Sequence, residues 1–136
     1  MSSDNKIKKR YSHALLEHFH HTAHAGQLDD HRAQVVTASK EGVGQEYAIQ
    51  FYLEIMPESG VIKVARFLAY GSTVVIACCE YSCRWVEGKQ LNEAQQLDSA
   101  SMITALGILA VQAHIAAMVL RLLQETLHRA AEQVST

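Results

Sequence analysis

The stretch "AIQFYLEIMPESGVIKVARFLAYG", residues 48–71, decides the fold because it combines two strand patterns with a turn between them. Ala48–Ile55 alternates strictly between apolar and polar side chains, which is the period of a half-buried strand. Pro57–Gly60, with the sequence PESG, supplies the residues of a tight turn. Val61–Ala69 is then the second strand of an antiparallel hairpin.

The segments on either side of this hairpin are mostly helical. Residues 27–45 are polar and extended, with a short strand at Gln34–Ala38 that adds a third strand to the hairpin. Apolar periodicity and helix-ending glycines predict helices over Tyr11–His21, Thr73–Val86, Asn92–Leu97, Ser99–Leu106 and Leu109–Ala131. This order of elements predicts an α+β fold in which the helices gather on one face of a small three-stranded antiparallel sheet.

Length and composition indicate one globular domain. The chain has 136 residues, of which 49% are hydrophobic and 19% charged, so it is too apolar for a disordered protein. We expect a flexible polar tail over residues 1–10 and a single domain over residues 11–136. The net charge of −2 disfavours nucleic acid as a partner. Gln112 and His114 interrupt the apolar stretch Ala105–Leu123, which predicts a buried helix and no membrane span.

Three cysteines, Cys78, Cys79 and Cys83, fall within six residues of one predicted helix. Their odd number and close spacing give no disulfide framework and favour reduced thiols in a cytoplasmic protein. The polar N-terminus, which carries no signal-peptide pattern, agrees with that location. We interpret the three thiols as structural, since a free cysteine behaves as a small buried apolar residue. A sulfur-acceptor role would instead require at least one exposed, acidic thiol.

The first predicted helix is rich in histidine. His13, Glu17, His20 (or His21) and His24 lie at offsets near whole helical turns, so we expect them to share one face. A histidine pair one turn apart can chelate a divalent metal such as zinc, which makes His20 and His24 candidate ligands. The alternative is a solvated polar face opposite the apolar residues of the same helix.

Several of these segments resemble one known family. Residues 11–26, "YSHALLEHFHHTAHAG", resemble the N-terminal helix of the NifU/IscU-type iron–sulfur cluster assembly scaffolds. Residues 51–71 resemble their hairpin and following turn, and residues 85–97, "WVEGKQLNEAQQL", resemble the segment after it. The resemblance implies the NifU/IscU (SufE-like) fold, an iron–sulfur cluster or iron as cargo, and no enzymatic activity. It also implies a cysteine desulfurase or another cluster-assembly protein as partner.

The family holds its cluster with three cysteines, assisted by an aspartate and a histidine. The resemblance places these positions on Gln45 and Tyr47, on Ser72, and on His114 and Ile115. Thiolates are the soft donors that iron and sulfide require, and all three are absent here, as is the aspartate. Only His114 keeps the family's residue type, so it is a further candidate metal ligand. The resemblance therefore implies a degenerate cluster site.

Several functions remain open at this point. The chain is either a degenerate scaffold that keeps the partner-binding fold, or a scaffold that still binds iron through His114, Glu46 and a partner's cysteine. A sulfur-acceptor protein is an alternative. Another is an oligomeric interaction module without a metal role, which would leave the apolar last helix uncovered in the monomer. The residues to check for that are Ala110, Ala113, Ala117 and Val119.

Overall fold

The computed structural model describes residues 11–135. In chain order its elements are α1 (His13–His20), β1 (Val35–Glu41), β2 (Ala48–Ile55), β3 (Ile62–Tyr70), α2 (Thr73–Val86), α3 (Leu91–Ala94), α4 (Ser99–Leu106), a 3₁₀ turn (Ala110–Gln112) and α5 (Ala113–Ser135). The strands form one antiparallel sheet in the order β1-β2-β3. The predicted α+β fold with three antiparallel strands is confirmed, while the predicted tail lies outside the described residues.

The β2–β3 hairpin forms the centre of the core. Phe51 pairs with Phe67 and Leu53 with Ala65, and all four side chains are buried. The turn that joins the strands closes through a hydrogen bond from the Met56 N–H to the Val61 carbonyl. The strict alternation of apolar residues therefore fixes which face of the sheet receives the helices.

The prediction that β2 is buried on one face only is wrong. Tyr52 and Glu54, which point away from the helices, are only 6% and 8% exposed. The cover comes from the segment between α1 and β1, residues 22–34, which we call the crossing segment. It pairs with β3 through hydrogen bonds from the Gly26 N–H to the Phe67 carbonyl and from the Phe67 N–H to the His24 carbonyl. Further along, it reaches Glu54 on the outer face of the sheet.

Helix α2 lies against β3 and also contacts α1 and α5. Because it is surrounded on several sides, its buried residues extend around most of its circumference. They are Val74, Val75, Ala77, Cys78, Cys79, Glu80, Ser82, Cys83 and Val86. The predicted bounds of this helix are confirmed, and Gly88, with φ +89°, follows its end.

The last helix starts later and ends later than predicted. A 3₁₀ turn occupies Ala110–Gln112, and α5 runs over Ala113–Ser135. Val119 is fully buried, Ala113 and Ala117 are half-buried, and Ala110 is exposed. The monomer's own core thus covers much of the apolar surface that an oligomeric module would need. Among residues 11–135, none of the helices combines the length and the apolar character that spanning a bilayer requires.

Other boundaries also differ: β3 covers Ile62–Tyr70 and not Val61–Ala69, and α3 covers Leu91–Ala94 and not Asn92–Leu97. β1 extends to Glu41 and not Ala38, because Ser39, Lys40 and Glu41 pair with the start of β2 although their side chains are exposed and polar. Helix α1 ends at His20, so the prediction that His24 shares a helix face with Glu17 is wrong. The chain leaves the helix at His21, so helical spacing no longer predicts which residues after it lie on the same face.

Candidate functional site

The loop between β1 and β2 carries the first position to which the resemblance assigns a cluster ligand. It is closed by hydrogen bonds from the Gly42 N–H to the Tyr47 carbonyl and from the Gln45 N–H to the Gly42 carbonyl, both 2.9 Å. Gln45 has φ +58°, which makes it the one non-glycine residue of the described chain in the left-handed region. The Glu46 carboxylate accepts a hydrogen bond from the Gly44 N–H at 2.8 Å, so it is bonded to the backbone of its own loop.

The joint between β3 and α2 carries the second position. Gly71 has φ +151°, a backbone conformation that favours glycine. Ser72 follows as the N-cap of α2, and its hydroxyl accepts a hydrogen bond from the Val75 N–H at 3.4 Å. The Ser72 hydroxyl, at the position to which the resemblance assigns a thiol, therefore caps the start of α2.

These two positions lie together at one end of the sheet. The Tyr70 hydroxyl donates a hydrogen bond to the Gln45 carbonyl at 2.6 Å, and Tyr70 also pairs with Ala48 across the sheet. A Cβ atom added to Gly71 would lie 3.2 Å from the Cβ of Tyr47. The loop and the joint are therefore in van der Waals contact, with Tyr47 between them.

The third position lies in the first turn of α5. His114 is exposed there, and Ile115 is half-buried and packs against the core. The preceding residues include the exposed apolar side chains of Leu109 and Val111. The convergence of His114 and Ile115 with the first two positions stays a prediction.

Comparisons with known proteins agree with this architecture. The family model described as the NifU-like N terminal domain matches residues 10–134. The chain belongs to the NifU-like N-terminal domain family. The iron-sulfur cluster assembly scaffold protein IscU of Escherichia coli K12 is 26% identical over 104 residues, which cover 76% of this chain and 80% of that protein. The iron-sulfur cluster assembly protein IscU of Plasmodium falciparum is 26% identical over 110 residues, covering 79% of this chain and 65% of its own length.

Solved structures show the same fold. The N-terminal NifU-like protein of Brucella abortus superposes with a TM-score of 0.65 at 15% identity, covering 93% of this chain and 97% of its own. An iron-sulfur cluster assembly scaffold protein of the SUF system from Fervidobacterium islandicum superposes with a TM-score of 0.56 at 13% identity, covering 88% and 95%. The NifU-like fold that the resemblance implies is thus confirmed.

The side chains of this NifU-like domain do not suit an iron–sulfur cluster at the positions described. Gln45 and Ser72 offer neutral oxygen or nitrogen atoms, and Ile115 offers no donor at all. Iron–sulfur clusters are held by thiolates, which neither an amide nor a hydroxyl replaces. The Tyr47 ring, where the resemblance implies an aspartate, instead packs against the hydrophobic core.

The three cysteines of this NifU-like domain lie away from the positions to which the resemblance assigns the cluster. Cys78, Cys79 and Cys83 are each fully buried in α2. Burial raises the pKa of the Cys78 thiol to about 12 and holds the pKa values of Cys79 and Cys83 well above the ordinary thiol value. These thiols stay protonated at neutral pH, so the condition for a sulfur acceptor, an exposed acidic thiol, is not met.

The candidate metal ligands His20, His24 and His114 are not brought together. His20 and His114 are exposed on different helices. Both ring nitrogens of His24 contact carboxylates, Nδ1 that of Glu80 at 2.7 Å and Nε2 that of Glu87 at 2.9 Å. Within residues 11–135, none of these histidines belongs to a group of three side chains able to hold a metal.

The contacts of His24 belong to an ion network that the sequence did not reveal. Glu80 is fully buried and also accepts a hydrogen bond from the His24 N–H at 3.0 Å and from Arg84 Nε at 2.8 Å. Arg84 in turn bonds Glu17 on α1 at 2.8 Å. Glu80 could have indicated this network from the sequence, because it lies within an apolar helix. A carboxylate is buried in such a helix only when it has charged or hydrogen-bonding partners.

The network is charge-balanced when His24 is protonated. An ionised carboxylate only accepts hydrogen bonds, so with both carboxylates ionised the two ring nitrogens of His24 must each donate. Arg66 completes the set by donating to Glu87 at 2.9 Å. Three cations then face three carboxylates, and the network fastens the crossing segment and α1 to α2.

Proposed function

We propose that this chain is a degenerate iron–sulfur cluster assembly scaffold. It keeps the fold and the partner-binding surface of its family and has lost the conventional cluster site. In this role it acts in or beside cluster biogenesis as a binding protein and not as an enzyme. Its partner is a cysteine desulfurase or another protein of cluster assembly.

One observation carries the proposal. The β1–β2 loop and the β3–α2 joint are in contact around Tyr47, while Gln45 and Ser72 supply no soft donor there. The hairpin register holds these two loops at one end of the sheet, so the backbone of this end of the family's fold is retained. The loss of ligands with retention of the backbone is what favours a scaffold without a cluster over an unrelated interaction module.

The structural use of the former ligand positions supports the same proposal. Ser72 caps α2, and the Gln45 carbonyl accepts the Tyr70 hydroxyl hydrogen bond. The Ser72 side chain thus stabilises the start of α2, whereas Gln45 contributes only its backbone carbonyl. Reduced, buried cysteines agree with a reducing compartment, and we place the protein in the cytoplasm.

Anaerobic reconstitution tests the proposal. The purified protein is incubated with iron, cysteine and a cysteine desulfurase, and its visible absorption and sulfide content are measured after desalting. We expect no stoichiometric cluster, because the positions at Gln45, Ser72 and Ile115 carry no thiolate. The Escherichia coli relative, treated in parallel, is the positive control. A stable cluster at about one per monomer or per dimer would show that other ligands replace the lost thiolates.

Retention of partner binding is tested in the same mixture. We expect the chain to form a complex with the desulfurase that size-exclusion chromatography resolves, although it receives no cluster. A chain that neither binds a cluster nor associates with any cluster-assembly protein would favour the interaction-module alternative.

A further inference from the structure

β1 is the open edge of the sheet. At the opposite edge, the crossing segment pairs with β3 through the Gly26 N–H and the His24 carbonyl. Within the part of the chain that the structure describes, β1 pairs with β2 and with no other strand. Its last three residues, Ser39–Glu41, are exposed. An exposed edge strand presents backbone groups to which another extended chain can bond.

Alternate residues of β1 direct their backbone groups away from β2. The Gly42 N–H donates to the Tyr47 carbonyl on the β2 side, so the even-numbered residues of this strand face β2. The carbonyl of the odd-numbered Thr37 points the other way and accepts a hydrogen bond from Arg129 of α5 at 2.9 Å. The outward direction of the odd-numbered residues thus follows from observed bonds.

Ser39 and Glu41 continue this alternation towards the end of the strand. Their backbone N–H and carbonyl groups point outward, and within residues 11–135 no hydrogen bond reaches them. In an antiparallel pair, two directly opposed residues of this kind exchange both N–H and carbonyl bonds. The edge therefore offers bonding sites for a short antiparallel strand.

A cavity of about 270 Å³ lies beside this edge, between β1 and α5. It is lined by Ser39, Lys40, Met118, Arg121, Leu122 and Glu125. Among the described residues, neither Lys40 nor Arg121 has a carboxylate partner, whereas Glu125 is paired with Arg129. The cavity therefore carries uncompensated positive charge, which complements an acidic side chain.

A second copy of the chain suits this edge poorly. Centring an antiparallel pair of two β1 edges on Ser39 places Glu41 opposite Thr37, whose carbonyl already bonds Arg129. Centring the pair on Lys40 or on Glu41 places two like charges directly opposite each other, which is destabilising. The edge thus favours a chain of different sequence.

We propose that the Ser39–Glu41 edge binds an extended acidic segment of a partner protein as an added antiparallel strand. An acidic residue of that segment lies opposite Lys40 and faces α5, because Lys40 pairs with Ile49 on the face that receives the helices. The next residue lies opposite Glu41 on the outer face, where a basic side chain is favoured. Main-chain bonds supply affinity and the alternating charges set the register. The proposal goes beyond the function proposed above, since it does not depend on the cluster ligands.

NMR titration of the isotope-labelled full chain with an N-acetylated, C-amidated peptide, Thr-Val-Lys-Glu-Val-Thr, tests the edge. Aligned antiparallel, its lysine lies opposite Glu41, its glutamate opposite Lys40 and its second valine opposite Ser39. We expect saturable shifts of the Ser39 and Glu41 amide signals, because both N–H groups gain a hydrogen bond. N-methylation of the second valine should abolish binding, since its N–H bonds the Ser39 carbonyl. N-methylation of the glutamate should leave the affinity nearly unchanged, because that N–H points away from β1.

Variants of the protein provide matched tests. Lys40→Gln and Arg121→Gln should each weaken binding by roughly two- to fivefold, the effect expected of an exposed ion pair. Lys63→Gln, which removes an exposed lysine of β3, should leave the affinity unchanged. Ser39→Pro should weaken binding by roughly tenfold or more, because it removes an outward N–H without removing a bond to β2, whereas Ser39→Ala should bind normally.

The proposal is overturned if the peptide causes no saturable shifts at Ser39 and Glu41, or if the two N-methylated peptides bind equally. It is also overturned if Lys63→Gln weakens binding as much as Lys40→Gln does. Concentration-dependent shifts of the same amides without peptide would identify a second copy as the occupant and would overturn it as well. Circular dichroism checks that Ser39→Pro is folded, and the N-methylated peptides test the edge even if it is not. Cluster reconstitution does not involve this edge, so the two experiments fail independently.

Discussion

Ser72 is part of the structural framework at the start of α2. It stands where the resemblance places a cluster cysteine, and its hydroxyl accepts a hydrogen bond from the first turn of α2. Serine is among the best N-cap residues, because its oxygen satisfies one of the four free N–H groups at a helix start. By the resemblance, the same exposed position would serve cluster ligation in the family, whereas in this chain it caps a helix.

Replacement of Ser72 tests the capping role. Ser72→Ala should lower the free energy of unfolding by about 0.5–1 kcal/mol, at the low end for an N-cap because the bond is 3.4 Å long. Ser72→Asp should retain most of the stability, since aspartate is an equally good cap. Urea denaturation of the three proteins measures both effects. Equal stability of the alanine and wild-type proteins would show that the hydroxyl contributes nothing.

The cysteines give a second prediction at the residue scale. Cys79 is fully buried, so Cys79→Ala should leave a small cavity and cost on the order of 1 kcal/mol. For the same reason none of the three thiols should react with a colorimetric thiol reagent until the protein unfolds. The rate of modification with and without denaturant is the measurement. Rapid reaction of all three in the native state would contradict their burial and revive the sulfur-acceptor interpretation.

At the scale of elements, the ion network around Glu80 joins three parts of the chain. Glu80→Gln keeps the shape of the side chain but leaves Arg84 and His24 without the charge that they share. Removal of one partner from a buried ion pair typically costs about 3–5 kcal/mol, and we expect a loss near about 3 kcal/mol because Arg84 is partly exposed and keeps Glu17. Denaturant unfolding measures the change.

Glu125→Gln is the matched control for this variant. Glu125 forms an exposed i,i+4 pair with Arg129 at 3.8 Å, and such a pair contributes little. Its replacement should leave the stability almost unchanged. If Glu80→Gln were as mild as the control, Glu80 would contribute little to holding the crossing segment against α2.

The same network predicts how stability depends on pH. Burial raises the pKa of Glu87, but hydrogen bonds from the Ala65 N–H and from His24 outweigh it, so the pKa lies below the ordinary 4.5. A carboxylate with a depressed pKa in the folded state contributes stability above its unfolded pKa and loses it as the pH falls. Stability should therefore decline as the pH falls below 4.5. The decline should be smaller in Glu87→Gln and unchanged in Glu58→Gln, which alters an exposed turn residue. Urea unfolding across this pH range is the measurement, and an identical decline in Glu87→Gln would contradict it.

At the scale of the whole molecule, the sequence predicts the order and type of the helices and strands better than it predicts the contacts between distant segments. The alternation in Ala48–Ile55 is sufficient to place the core face of the sheet, since the side-chain period of a strand is fixed. It gives no information on the outer face, where Tyr52 and Glu54 are buried by a segment that precedes them in the chain. A polar, irregular segment carries no periodic signal, so its path over the sheet follows only from the folded structure.

The candidate site shows the same limit. The structure has the Gln45 loop beside the Ser72 joint, because both lie next to strand ends fixed by the hairpin register. His24 was assigned to a helix face by extending the spacing beyond the helix end, and the structure places it among carboxylates instead. Local spacing predicts neighbours within an element, whereas the partners of His24 are 56 and 63 residues away in sequence.

Restoration of the ligands tests the whole architecture, including the third position that stays a prediction. The variant Gln45→Cys, Ser72→Cys, Ile115→Cys supplies three soft donors, and Tyr47→Asp adds the carboxylate that the resemblance implies. Since Tyr47 packs against the core, the variant with only the three cysteines is made as well, in case the aspartate prevents folding. Both are compared with wild type under the same conditions. We expect about one Zn²⁺ or labile cluster per chain in the cysteine variants and far less without them. If a folded cysteine variant binds no more metal than its parent, Ile115 does not approach Gln45 and Ser72, and the scaffold interpretation of this end of the molecule is wrong.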